Sequence, residues 1–561
     1  MTAAASERPA TSITAAFGVP AFRRIWGASL CSNLGLLIQS VGSAWAMTQL
    51  VSSPTLVALV QTALMLPLMI FAMPAGAIAD MYDRRIVALI ASSIALTGAT
   101  GLALSSATHV LSPYLLLGFC FVIGSGMALM GPVWQASVSE QVPPAVLPSA
   151  IGLSSIAFNL ARSFGPAVGG VIVAAAGPLA AFSINVVCYL PALIVLLLWK
   201  RKPPAMRLPP ERLARAIVSG ARYIMHSPTA RIVILRTLAT SVAGGAISAL
   251  MPLVSRDLLH GDARTFGILL GAFGVGAVLG AVNLGRLRTR LNDETLVRLC
   301  TAGAGASIVV VAMIHSLPVA LAALFVAGGL WTISFSVYNI ELQVSAPRWV
   351  AGRALAAFQA AAAGGAGIGA AVWGVAARDH GVQIALLGSG LAMGACALLG
   401  LWLRMPEGSD ASSSEEAELL GDVQVQLGLT HRSGPIVVEM DYRVPAGQAR
   451  AFYEIMQQVQ SIRQRNGAYD WSIARDIADV ERWTERFHCP TWLDYLRQRA
   501  RSTQADRLIL EASWAFHLGP EPVQLRRMLE RPFGSVRWRE DTPDTGGVEP
   551  LPAPAFPGGG A

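Results

Sequence analysis

A succession of apolar runs, each about as long as a bilayer is thick, constrains this chain more than any other feature. A hydrocarbon core about 30 Å deep takes about 20 residues of helix at a 1.5 Å rise. Runs of that length lie near 25–50, 54–79, 86–108, 112–136, 149–175 and 178–199. A second set lies near 231–255, 265–286, 295–315, 318–340, 353–376 and 383–403. In lipid the backbone polar groups must bond within their own segment, so each run is expected to be helical. Charge is partitioned to match. Residues 1–404 hold 25 Lys/Arg and 11 Asp/Glu, whereas 405–561 hold 17 and 23, a net +14 against −6. Only 14% of the whole chain is charged, against about 25% for a soluble domain. A purely soluble enzyme, a coiled coil, a disordered chain and a secreted disulfide scaffold are excluded. The expected fold class is an all-α membrane protein of 12 transmembrane helices with a C-terminal α+β cytoplasmic domain.

The boundaries follow from these shifts. Residues 1–21 form an N-terminal segment, 22–200 a first six-helix bundle, 201–230 a connector and 231–404 a second bundle. Residues 405–434 form a linker, 435–530 a folded domain and 531–561 a Pro/Gly-rich disordered tail. Lys and Arg collect in alternate loops: Arg23/Arg24, Arg84/Arg85, Lys200–Arg222, Arg286/Arg288/Arg290, Arg348 and Arg404. Basic loops face the cytoplasm, which places both termini there in a multi-pass inner-membrane protein. The N-terminus lacks the basic start and cleavage site of a signal peptide, and Thr2 stands where myristoylation needs glycine. The six cysteines stand far apart with no CxxC or Cys/His cluster, so neither a metal site nor a disulfide framework is indicated.

The two sextets repeat at an offset of 204 residues. Gly76 meets Gly280, Arg84 meets Arg288, Val133-Trp134-Gln135 meets Val337-Tyr338-Asn339, and Pro143 meets Pro347. Gly165 and Gly170 meet Gly369 and Gly374 in the same register. A parallel six-plus-six repeat is a known transporter design, with the substrate site between halves near the midplane.

Two motifs carry the functional reading. Between the second and third runs, Gly76, Asp80, Arg84 and Arg85 can form a cytoplasmic latch: a close helix approach, a capping acid and two cations. In the fifth run, Asn159, Arg162, Gly165, Pro166, Gly169 and Gly170 combine a kink, small packing residues and a charge about 20 Å deep. An arginine at that depth is costly and faces a cavity or a partner. Trp134, Gln135, Asn159, Arg162, Tyr338, Asn339 and Glu341 are the substrate or coupling candidates, Glu341 being the most plausible proton carrier. Asn33, Gln39, Trp45, Asn185 and Gln359 read as helix–helix contacts or interface anchors.

The first motif resembles the G-x-x-x-D-x-x-x-R-R loop of the major facilitator superfamily, with Asp83 where that family usually has glycine. Leu284 replaces the acid in the second-half copy, so the latch is expected mainly in the first half. The fifth-run motif is similar to the G-P-x-x-G-G of exporters in that superfamily. Cys120 stands where many proton-coupled members carry Arg. The resemblance implies a major facilitator fold and secondary active export of an amphipathic small molecule such as a drug, antibiotic or siderophore. Energy would come from an ion gradient, with H+ the expected coupling ion, since no GxxxxGK[ST] phosphate loop exists. No cofactor, metal or nucleic acid is implied.

In the tail, Ile436–Val444 alternates as a strand, 446–465 carries a helical stripe, and strands follow near 468–476 and 480–488. A helical stretch runs from Trp492 to about 515, and Val523–Met528 closes the pattern. The order βαββαβ is ferredoxin-like. RVPAG (443–447), RQRNGAYDW (463–471) and the segment 482–503 resemble the dimeric α+β barrel of antibiotic-biosynthesis monooxygenases, as found on the transmembrane secretion effectors, a branch that includes the enterobactin exporters. That resemblance implies a homodimerising or sensing module. His488, His517, Trp471, Trp492 and Asn466 could line a pocket, so a membrane-tethered oxygenase is the alternative, and an uptake carrier the rival within the same fold.

Overall fold

The computed structural model describes residues 15–143, 146–199, 213–405, 425–518 and 522–530. Two compact units emerge. The first comprises residues 1–217, 232–343 and 352–406; the second comprises 218–231, 344–351 and 407–561.

The first unit is built from α1 (Pro20–Leu50), α2 (Pro54–Met81), α3 (Arg84–Ala107), α4 (Pro113–Gln141) and α5 (Leu147–Leu198). After the connector helix α6 (Leu213–His226) come α7 (Pro228–Leu253), α8 (Ala263–Arg288), α9 (Asp293–Met313), α10 (Leu317–Ser345), α11 (Arg348–His380), α12 (Val382–Cys396) and the short α13 (Leu399–Trp402). Proline opens α1, α2 and α4, where its missing N–H costs nothing. Asp83, Ser112, Asp262 and Asn292 cap α3, α4, α8 and α9 with side-chain oxygens.

Among the described residues, ten helices are long and apolar enough to cross a membrane. One of them, Leu160–Leu198, breaks at Gly177, whose φ of 76° suits glycine alone, with Pro178 opening the next helix. Both arms lie against one stretch of α1. A side chain at Gly165 or Gly169 would meet Leu37 or Ile38, and those at Gly35 and Gly42 would meet Cys188 and Ala181. The chain therefore turns back at Gly177. The sequence count of twelve requires Pro20–Leu50 to cross as well; at 31 residues it is long enough, but Ser, Asn, Gln and Gly dilute its apolar character. Leu198, Val282 and Leu391 remain 70%, 69% and 68% exposed, the surface of a body solvated by lipid rather than water.

The second unit carries β1 (Ile436–Arg443), α14 (Ala449–Asn466), β2 (Tyr469–Arg475), β3 (Arg482–Cys489), α15 (Trp492–Ala500), α16 (Gln504–Trp514) and β4 (Gln524–Leu529). The strands form one antiparallel sheet in the order β2-β3-β1-β4, the ferredoxin-like arrangement. Met440, Tyr442, Phe452, Met456, Val459 and Leu510 fill its core. The helical stretch expected from Trp492 to about 515 is two helices. Thr503 and Asp506 form a reciprocal capping box that starts α16 afresh.

Within this unit the connector and the α10–α11 turn also pack. The Arg501 guanidinium lies 4.1 Å from the Trp349 ring, Tyr223 meets that ring edge-on at 5.8 Å, and the Tyr223 hydroxyl donates to the Ser345 carbonyl at 3.2 Å. Tyr223 of the connector thus shares a core with Trp349 and Arg501. Most of the linker and all of 531–561 lie outside the described residues.

Candidate functional site

The fifth-run motif forms the crossing of α5 with α8. Gly170 approaches Gly267 so closely that an added Cβ would stand 2.6 Å from the Gly267 Cα and 2.7 Å from the Ala263 carbonyl. One turn at a time toward the middle, Ala167 faces Gly271 and Ser163 faces Gly274; the Ser163 hydroxyl donates to the Gly274 carbonyl at 3.0 Å. Small residues at this spacing let two helix backbones touch. Gly165 and Gly169 pack on α1 instead, so the motif joins one half of the repeat to the other through Gly170 and to its own half through the other two.

A second seam joins the halves along α2 and α11. The Thr55 hydroxyl donates to the Gly374 carbonyl at 3.1 Å, and Thr62 to the Gly367 carbonyl at 2.8 Å. Near the arginine-poor end, Arg256 donates to the Thr48 carbonyl at 3.2 Å, and Trp45 stacks on Phe266 at 6.4 Å. The halves are therefore in direct contact from the arginine-poor end to the middle. Gly369 and Gly374, the repeat mates of Gly165 and Gly170, pack on Val242 and on Thr55/Ala58. The repeat register thus marks helix crossings in both halves.

Arg162 sits midway between Leu147 and the Gly177 break, one turn ahead of Gly165. It is half-buried, and among the described residues it makes no hydrogen bond or ion pair. A charge held in a span without an internal partner is available to a ligand. Of the other candidates, the side chains of Asp80, Gln135 and Asn159 lie outside what is described. Trp134 packs with Ile25, Val87, Val133 and Leu196. Tyr338 is buried 5.6 Å below the Arg236 guanidinium, and Asn339 accepts from Gln343. Trp134 and its repeat mate Tyr338 sit in separate packing environments. Gln39 and Asn185, both buried, hydrogen-bond to each other across α1 and α5.

At the arginine-rich end Arg84 pairs with Glu140 at 2.7 Å, and Arg85 donates to the Leu196 and Leu197 carbonyls at 2.9 and 2.5 Å. Asp83, the residue in the glycine place, caps α3 by accepting from the Arg85 N–H. The second half answers in kind. Arg288, the mate of Arg84, pairs with Asp293 at 2.5 Å and lies 3.5 Å from Glu341. Leu284 removes one acid, but two others fill the role, so each half holds a cation–carboxylate clasp at this end.

Sequence reasoning overlooked a further pair. Arg236 on α7, 1% exposed, donates to Glu294 at 2.6 Å and to the Leu403 carbonyl at 3.2 Å. Glu294 also accepts from the Met405 N–H at 3.2 Å. The signal existed: Arg236 is an ionisable residue inside an apolar run, and Glu294 abuts the run near 295–315.

In the tail, a cavity of about 20 Å³, room for one water, is lined by Met440, Arg463, Phe487, Tyr495, Gln498 and Trp514 among others. None of the five tail residues singled out from the sequence lines it. Trp471 donates to Glu485 at 3.0 Å, Trp492 stacks on Tyr495, His517 accepts from the Arg443 N–H, Asn466 closes α14, and His488 stands on the open sheet face 3.5 Å from Glu530. That face is a ladder of paired charges: Glu439 and Asp441 against Arg482, Arg486 and Arg526.

A family described as transmembrane secretion effector matches residues 11–533. The multidrug efflux pump Tap of Mycolicibacterium fortuitum is 24% identical over 379 residues, 65% of this chain and 91% of that one. The enterobactin exporter EntS of Escherichia coli is 26% identical over 360 residues, 63% of this chain and 85% of that one. Among solved structures, the nucleoside transporter NupG superposes with a TM-score of 0.57 at 11% identity, covering 68% of this chain and 100% of that one. The POT family transporter PepTSo does so at 0.57 and 13% identity, covering 69% and 97%. At such identities the structures report a shared fold, that of major facilitator transporters.

Proposed function

The chain belongs to the transmembrane secretion effector family and is a multi-pass membrane transporter, and from that premise we propose that it is a secondary active exporter. Its cargo is an amphipathic small molecule of drug, antibiotic or siderophore type, moved out of a bacterial cytoplasm across the inner membrane in exchange for H+. Both termini face the cytoplasm, following the arginine-rich loops.

The observation that carries this reading is Arg162: a half-buried cation at mid-span, unpartnered among the described residues, whose backbone lies in the seam that joins the two halves. A cation in that position can hold a carboxylate, enolate or catecholate group of a cargo at the membrane midplane, where six-plus-six transporters bind substrate. The clasps Arg84–Glu140 and Arg288–Asp293/Glu341 mark the end that must open toward the cytoplasm for loading. The relatives named as a multidrug efflux pump and an enterobactin exporter support export of such cargo. The tail serves as a sensing or pairing module; two copies pairing through the open sheet face would match charge to charge, because that face is a polar ladder.

The test compares the medium of cells with and without the protein by metabolite profiling, with Arg162→Ala and Arg162→Lys as controls. We expect one or more acidic amphipathic compounds to be depleted from the medium without the protein. Arg162→Ala should reproduce that depletion at normal membrane abundance, and Arg162→Lys should restore part of the export. Normal export by Arg162→Ala would make the residue structural and remove the cargo site proposed here.

A further inference from the structure

The pair Arg236–Glu294 is buried in the second half yet only partly satisfied. Arg236 Nη1 bonds Glu294 Oε2 at 2.6 Å and the Leu403 carbonyl at 3.2 Å. Its Nε and Nη2, together with Glu294 Oε1 and the neighbouring Thr237 hydroxyl, are buried and have no hydrogen-bond partner. A pair that served only to stabilise the fold would satisfy these atoms or be replaced by apolar residues, because burying two ions costs several kcal/mol each before their attraction is counted. The unpartnered atoms lie on two helices, α7 and α9. Glu294 Oε2 also accepts from the Met405 N–H, so one carboxylate holds both the cation and the exit of α12.

We propose that Glu294 is the proton-carrying residue that couples the gradient to transport, with Arg236 as its alternating partner. This deepens the exporter reading and rests on it. In the state described, Arg236 clasps Glu294. When α7 and α9 part during the cycle, an ionised carboxylate left buried without its cation would be costly, and uptake of one proton neutralises it. Return of Arg236 expels that proton to the other side. One proton is thus bound and released per cycle. The titratable or charged groups around Glu294 are few. Arg236 comes from α7, Tyr338 and Glu341 from α10, Cys396 from α12, the Leu403–Met405 backbone follows α13, and Asp293 and Arg298 lie on its own helix. Of these carboxylates, Asp293 and Glu341 share Arg288, whereas Glu294 pairs with a cation of its own, Arg236, on another helix.

The experiment uses the full chain in proteoliposomes with tetracycline, a fluorescent, enolate-bearing amphipathic drug, as the probe. Two rates are measured: uptake driven by a proton gradient, and gradient-free exchange of internal for external probe. Glu294→Gln is expected to abolish the first and leave the second within about twofold of the unaltered chain. Equal loss of both rates would make Glu294 an anchor for α12 and overturn the proposal, and so would normal gradient-driven uptake. If the unaltered chain shows exchange but no gradient-driven uptake, the proton-coupled exporter reading fails instead, so the two failures are distinct. Should Glu294→Gln not reach the membrane, carbodiimide labelling of the unaltered chain decides. A modified Glu294 peptide, more abundant at low pH, supports the proposal; no labelling at any pH overturns it.

Discussion

Arg463 shows how a charge can be read at the residue scale once its partners are known. It lies buried in the tail, 3.0 Å from Glu485, with its guanidinium 4.7 Å from the Phe487 ring. Glu485 in turn accepts from the Tyr442 hydroxyl at 3.1 Å and the Trp471 N–H at 3.0 Å. Burial, followed by the Glu485 charge, pushes the Tyr442 hydroxyl well above its usual range, so it stays a donor. Burial likewise pushes the Cys489 thiol, on the same strand as Glu485, up to about 12. The thiolate is the reactive form, so Cys489 is expected to resist alkylation in the folded tail at pH 8. Removing one partner of a buried pair costs about 3 to 5 kcal/mol. Glu485→Gln should therefore loosen the domain and make Cys489 alkylate at least tenfold faster, read by mass spectrometry of the full-length chain. Unchanged labelling would show the network to be dispensable. None of this was legible beforehand, because a charge in a strand of a soluble domain looks like any surface residue. Arg162 was legible for the opposite reason: in an apolar run a cation stands alone. Arg236 carried the same signal and was missed because its acid lies one residue before the run near 295–315, two runs further on.

Elements were the most legible level. The apolar runs, the turn at Gly177-Pro178 and the strand alternation of the tail are local properties, and the helices and strands form where they point. What the runs could not reveal is which helices touch. The glycines of 165–170 face two different neighbours, and only Gly170 meets the other half. Its approach to Gly267 leaves no room for a side chain, and the obstructing atoms are backbone. Overpacking of this kind costs about 1 to 3 kcal/mol, and each 1.4 kcal/mol is about tenfold in a conformational equilibrium. Gly170→Leu should thus cut transport about tenfold or more at normal membrane abundance, while Gly165→Ala, which meets only the flexible Leu37 side chain, should cost less. Equal effects would mean that the α5–α8 seam does not close during the cycle. The capping box at Thr503 is the converse case: S/T-x-x-D was present in the sequence, and the two-helix break it causes was overlooked.

At the scale of the whole molecule, the repeat predicted from a register of 204 residues reappears as physics. Arg84 and Arg288 each hold a carboxylate at one end, and the motif glycines of each half sit at helix crossings. The second unit was less legible, because a core shared by Tyr223, Trp349 and Arg501 draws on three stretches of chain that nothing in their spacing connects. The central claim is that the molecule moves cargo outward at the expense of a proton gradient. Uptake of tetracycline into everted membrane vesicles, compared with right-side-out vesicles from the same cells, tests it most directly. The account predicts accumulation in everted vesicles that collapses when the gradient is dissipated, and none in right-side-out vesicles; gradient-driven accumulation only in right-side-out vesicles would contradict it.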